Sequence, residues 1–135
     1  MQNYEKYLDL DKKQLFKRYL ELLKMLKELN KKEEELTLKI KELQQKHMTL
    51  ILLQNQINQL DNGLYKDENE KKELEEAVEK GLKYFKFRSR NDVGRTIKLV
   101  ENTFQQKQRE LERVESDKKL ISEELEIIKF VALLR

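Results

Sequence analysis

Beginning at Leu8, every seventh residue is Leu or Ile: Leu15, Leu22, Leu29, Leu36, Leu43, Leu50, Ile57 and Leu64 follow. An unbroken repeat of this period predicts one long helix over residues 1–62. Its apolar stripe drifts only slowly round the axis, so it supercoils against another helix. The alternate seam series is weaker: Lys12, Tyr19, Leu26, Glu33, Ile40, His47, Gln54 and Asp61. A parallel homodimer would set Glu33 against Glu33 and Asp61 against Asp61, and buried like charges are costly. The stripe therefore calls for a different surface opposite it, either a later segment of this chain or another protein.

A later segment has the matching pattern. Ile97, Val100, Phe104, Leu111, Val114, Ile121, Leu125 and Ile128 keep three-then-four spacing, with Lys107 and Lys118 as gaps, and predict a second long helix over 96–135. Between them, 63–82 reads as a turn and a short helix. Asp61-Asn62-Gly63 is the turn signal, with Gly63 suited to a left-handed helix end, and Leu74, Ala77, Val78 and Leu82 share one helical face. Residues 83–95 read as a basic, aromatic loop in which Leu82 to Arg90 is the only strand candidate; Asp92 and Thr96 are candidate N-caps for the helix beyond. The expected fold is all-α: an elongated coiled coil whose N-terminal helix folds back as an antiparallel hairpin, one unit without a separate globular domain. Looping out 83–94 pairs Leu43 with Arg95, which brings Glu33 near Lys107.

Composition narrows the class. Of 135 residues, 41% are charged and 38% hydrophobic, with no Pro, Cys or Trp, which excludes collagen-like, disulfide-stapled and Pro/Gly-rich disordered chains. No apolar run approaches the ~20 residues of a membrane span. The net charge of +3 is too small to name a partner. Glu5, Asp9 and Asp11 interrupt the first residues, against a signal or transit peptide. An intracellular, cytoplasmic location is the expectation, with nuclear or cytoskeletal association open.

Candidate chemistry is sparse. The single histidine, His47, falls on a seam position, where packing outweighs catalysis or metal binding. Gly63, Gly81 and Gly94 stand too far apart for a phosphate loop, and the acidic run 61–73 lacks the spacing of a calcium loop. A non-enzyme without cofactor or metal is expected.

What remains is surface. Three stretches are apolar on several faces, around 20–26, 48–53 and 125–134; the residues beyond the seam are Leu20, Leu23, Met25, Ile51, Leu52, Leu53, Ile127, Phe130, Val131 and Leu134. Such residues need a third wall, supplied either inside the monomer or by a partner helix, and a partner is favoured. Residues 80–98 carry seven basic side chains and one acidic one, interleaved with rings: Lys83, Tyr84, Phe85, Lys86, Phe87, Arg88, Arg90 and Arg95 are the candidates. Cations with rings suit nucleic acid, through phosphate contacts and base stacking. The rings also suit packing on the hairpin, and the cations an acidic protein partner.

Two long heptad helices joined through a short segment are loosely similar to the prefoldin subunits. In that family strands that build an oligomeric barrel lie between the arms, whereas here a turn and a helix precede the one strand candidate. Small coiled-coil subunits of kinetochore, intraflagellar-transport and secretion assemblies share the general look by composition alone. The functional expectation is a scaffold or adaptor subunit binding other protein subunits by helix packing, a hetero-oligomer before a homodimer. The alternatives are a nucleic-acid-binding accessory protein using 83–95 and a prefoldin-like holdase.

Overall fold

The computed structural model describes residues 5–135; Met1–Tyr4, which the sequence includes in the first helix, lie outside the described residues. The fold is all-α, with no strand among the described residues: α1 Glu5–Leu8, α2 Lys12–Asp61, α3 Glu68–Tyr84 and α4 Asn91–Leu133. The long helix α2 packs on the C-terminal helix α4. Contacts divide the chain into two units, one formed by the chain up to Leu38 together with Gln108–Arg135, the other by Lys39–Lys107.

The long helix α2 starts later than the repeat implies, because Asp11 ends the preceding turn and caps α2. Its carboxylate accepts from the Gln14 amide at 2.8 Å while the Gln14 side chain accepts from the Asp11 amide at 3.1 Å, a reciprocal capping box. The break resets the helical phase. Tyr7 of α1 therefore enters the core at 4% exposure, whereas Leu8, first of the seven-residue series, is left 39% exposed.

In the Lys39–Lys107 unit, α2, α3 and α4 enclose Leu43, Leu50, Leu53, Ile57, Val78, Val93, Ile97 and Val100. The α2 end is a Schellman turn: Gly63 has φ +66°, its amide donates to Leu60 at 3.2 Å, and the Leu64 amide donates to Gln59 at 2.8 Å. Leu64, beyond that turn, is exposed. The Asp67 side chain caps α3 by accepting from the Glu70 amide. α3 extends to Tyr84, two residues past the 82 expected from the sequence, and closes on a second Schellman turn in which Phe87 donates to Leu82 and Lys86 to Lys83.

α4 begins at Asn91, not 96, and pairs with α2 directly. Arg90 meets Asp61 at 3.1 Å and His47 meets Glu101 at 3.0 Å. The pairing of Leu43 with Arg95 is therefore displaced by about ten residues, roughly three helical turns. The physical reason is α3: it lies beside the α2–α4 pair as a third helix, where the length arithmetic counts it as part of the returning arm.

In the other unit, α1, α2 and α4 enclose Tyr7, Leu15, Leu22, Ile121, Leu125, Ile128 and Val131. Glu33 meets Lys118 at 3.0 Å, so the cation opposite it is not the expected Lys107.

Candidate functional site

The seam positions sort by depth. Leu15, Leu22, Leu36, Leu43, Leu50, Ile57, Ile97, Val100, Val114, Ile121, Leu125 and Ile128 are buried; Leu29, Phe104 and Leu111 are half-buried. Leu8 and Leu64 are exposed for the reasons given by the two helix ends.

Two of the candidate partner-binding residues belong to the core. Leu53 is 3% exposed because α3 lies directly over it, and Val131 is fully buried beside Tyr7 and Ile128. Ile127 is half-buried against the same core as Val131. Leu20, Leu23, Met25, Ile51, Leu52, Phe130 and Leu134 are exposed, and Phe16, absent from the sequence-derived set, is exposed by 62%. Its signal was available, since Phe16, Leu20 and Leu23 have i, i+4, i+7 spacing and share one helix face.

The basic segment is divided among three elements. Lys83 and Tyr84 close α3, residues 85–90 form the connection, and Arg95 lies on the first turns of α4. No strand forms from Leu82 to Arg90. Phe85 and Phe87 stack at 5.3 Å between centroids and pack against the core of the Lys39–Lys107 unit. Tyr84 alone of the three rings is exposed, edge-on to Phe85 at 5.0 Å. Lys83, Lys86, Arg88 and Arg95 are exposed, while Arg90 is held by Asp61. Lys86 sits at φ +58°, a left-handed position that a side chain adopts at a cost. Asp92 does not cap α4 in the expected way; its carboxylate reaches back to the Arg88 and Ser89 amides at 3.1 and 3.2 Å. Thr96 lies inside α4 and donates to the Asp92 carbonyl.

A polar cluster at the core edge is formed by Tyr7, Arg18 and Glu124. The Tyr7 hydroxyl donates to the Glu124 carboxylate, which also accepts from Arg18 Nε at 3.1 Å. Burial, then the neighbouring Glu124, raises the Tyr7 pKa to about 12. Burial opposes ionisation of Glu124, yet the Tyr7 and Arg18 hydrogen bonds outweigh it and hold that carboxyl below its ordinary range. Each group has its partner, so the arrangement ties α1 and α2 to α4.

Among the described residues no group of His, Cys, Asp or Glu has the geometry of a metal site, and no helix is long and apolar enough to cross a membrane. His47 is half-exposed against Glu101. No protein-family model, curated protein or solved structure matches the chain.

Proposed function

We propose that this chain is a non-enzymatic coiled-coil scaffold or adaptor subunit whose α2 and α4 form an antiparallel helical pair and whose exposed helix faces bind other protein subunits. The observation that carries this reading is apolar surface on helices already packed on another face. Phe16, Leu20 and Leu23 expose 62%, 48% and 39% of their surface, and Met48 and Leu52 expose 72% and 59%. Side chains of this size on the outer face of a packed helix are what a further helix covers.

A nucleic-acid role for 83–95 has less support. Two of its three rings are used by the core and Arg90 is paired, which leaves Tyr84 as the exposed stacking surface.

The test is to purify the native assembly and measure its composition, with sedimentation equilibrium and circular dichroism on the isolated chain. One stoichiometric protein partner, lost on changing Leu20 or Leu52 to Ser, supports the adaptor. Promiscuous suppression of aggregation would instead mark a holdase. Steeply salt-dependent RNA or DNA binding, lost with Lys83, Lys86 and Arg88, would mark the accessory protein.

A further inference from the structure

The exposed face of α2 between Lys12 and Lys31 has a chemical character of its own. Phe16, Leu20 and Leu23 form a short apolar row on it. Along the adjoining edge, positions 13, 17, 20, 24, 27 and 31 alternate spacings of four and three, so they too fall on one line. Apart from Leu20, all of them are lysine: Lys13, Lys17, Lys24, Lys27 and Lys31. All five are exposed, and none forms an ion pair among the described residues. The acidic residues of the same stretch, Glu21 and Glu28, lie outside that line; Glu21 is engaged by Arg18 at 3.5 Å, while Glu28 borders Lys24, Lys27 and Lys31 on one side.

The row is also concave at one end. Lys12, Phe16 and Tyr19 of α2 and Ile128, Lys129 and Ala132 of α4 line an open crevice with an apolar floor and lysines at its lip. A crevice between two helices takes a third helix, whereas a flat lipid surface would reach only its rim.

Charge decides which helix. A second copy laid antiparallel across Leu20 would set Lys13 of one copy against Lys27 of the other, and Lys17 within one residue of Lys24. A parallel copy would set each lysine against itself. Like charges facing one another oppose association, while carboxylates facing them favour and steer it.

We propose that the Phe16–Leu20–Leu23 face of α2 is the docking site for an amphipathic helix of another protein, one whose apolar stripe is flanked by Asp and Glu. The site rests on the adaptor reading and gives it a place and a partner chemistry. The helix lies along the outer face of α2 with its apolar side chains on Phe16, Leu20 and Leu23, one end entering the crevice at Phe16, and its carboxylates meet lysines of the adjoining edge.

The test is selection of binders to the full-length chain from a display library of helical 20-residue peptides unbiased in charge. Leu20→Ser and a triple reversal, Lys17→Glu, Lys24→Glu and Lys27→Glu, serve as counter-targets; all four residues are exposed, and circular dichroism checks that both variants keep their helicity. Enriched peptides are expected to carry an apolar stripe bordered by Asp and Glu, and to weaken with salt. They should lose about tenfold in affinity on each counter-target. The reversed chain should in turn select peptides bordered by Lys and Arg. Peptides that bind both variants undiminished would overturn this site and leave the adaptor reading standing, with the binding face elsewhere. Failure to enrich any peptide would overturn both. Phosphatidylserine vesicles, with phosphatidylcholine vesicles as control, form a separate arm: Leu20-dependent binding to the anionic vesicles without peptide enrichment would replace the helix with a membrane surface.

Discussion

A Cβ atom on Gly81 would lie 2.6 Å from Leu53 Cδ1. α3 therefore meets α2 at a point where only hydrogen fits, and Leu53, sealed in the core, has little room to withdraw. Gly81→Ala should gain about 1 kcal/mol of helix propensity but lose about 1–3 kcal/mol by overpacking, for a net destabilisation. Urea unfolding of Gly81→Ala, of a shortened Leu53→Ala and of the double variant checks this. The double variant should be more stable than the sum of the two single changes implies.

Leu52 and Leu53 are neighbours in sequence with opposite fates, 59% and 3% exposed. Leu53→Ala should cost about 2–5 kcal/mol, and Leu52→Ala within about 0.5 kcal/mol of nothing. Unfolding midpoints of the two variants measure the difference. Equal costs would mean that α3 does not cover Leu53 in solution.

The two Schellman turns make opposite predictions. At Gly63 the left-handed φ is free of strain, so Gly63→Ala should destabilise by about 1–2 kcal/mol. At Lys86 the same conformation carries a side chain, so Lys86→Gly should stabilise by about 1 kcal/mol. Thermal unfolding of both variants checks the signs.

Stability should change with pH at both ends of the scale through the Tyr7–Glu124 pair. The Glu124 pKa is lowered on folding, so its contribution is present above the ordinary carboxyl pKa and disappears as pH falls through the folded value. The Tyr7 pKa is raised to about 12, so its contribution is present below the ordinary value of 10.0 and disappears as pH rises between the two. Glu124→Gln should flatten the acid limb and Tyr7→Phe the alkaline limb, measured as unfolding free energy against pH.

The Glu33–Lys118 pair is only partly exposed, and a double-mutant cycle on Glu33→Ala and Lys118→Ala should return a coupling of about 0.5–1 kcal/mol. The same cycle with Lys107 should return a smaller one. The reverse order would restore the register expected from length alone.

Much of the all-α architecture was legible because burial imposes a period: Leu15, Leu22 and Leu50 are buried where the seven-residue series puts them. The turn at Gly63 was legible because few residues tolerate its φ. The register was not. Lys118 and Lys107 are both lysines at seam gaps of the later helix, and nothing in spacing distinguishes them as partners of Glu33. The deciding fact was lateral placement of α3, which depends on Gly81 admitting Leu53, a contact between residues far apart in sequence. Leu53 and Val131 were assigned to a partner helix for the same reason: a third wall drawn from α3 or from Tyr7 leaves no local periodic signal. In the basic segment the alternation of rings and cations resembles a strand, yet Lys83 and Tyr84 complete a helix whose last turn ends by hydrogen bonding. Among the surface residues, Phe16 was missed because it stands apart from the densest apolar clusters, although its helical spacing joins it to Leu20.

The division at Leu38 and Gln108 separates a unit continuous in sequence from one assembled out of two distant stretches. Lys39–Lys107 contains every helix segment that its own core requires, so it can close soon after its last residue is made. The stretch before Leu38 has no such option: Leu15 and Leu22 wait for Ile121, Leu125 and Ile128, which are made roughly 85–90 residues after Leu38. At ~5–20 residues per second that is several seconds of uncovered leucine on a nascent chain. This is the interval in which a chaperone, or an early-arriving partner helix, would find the N-terminal half of the molecule most receptive.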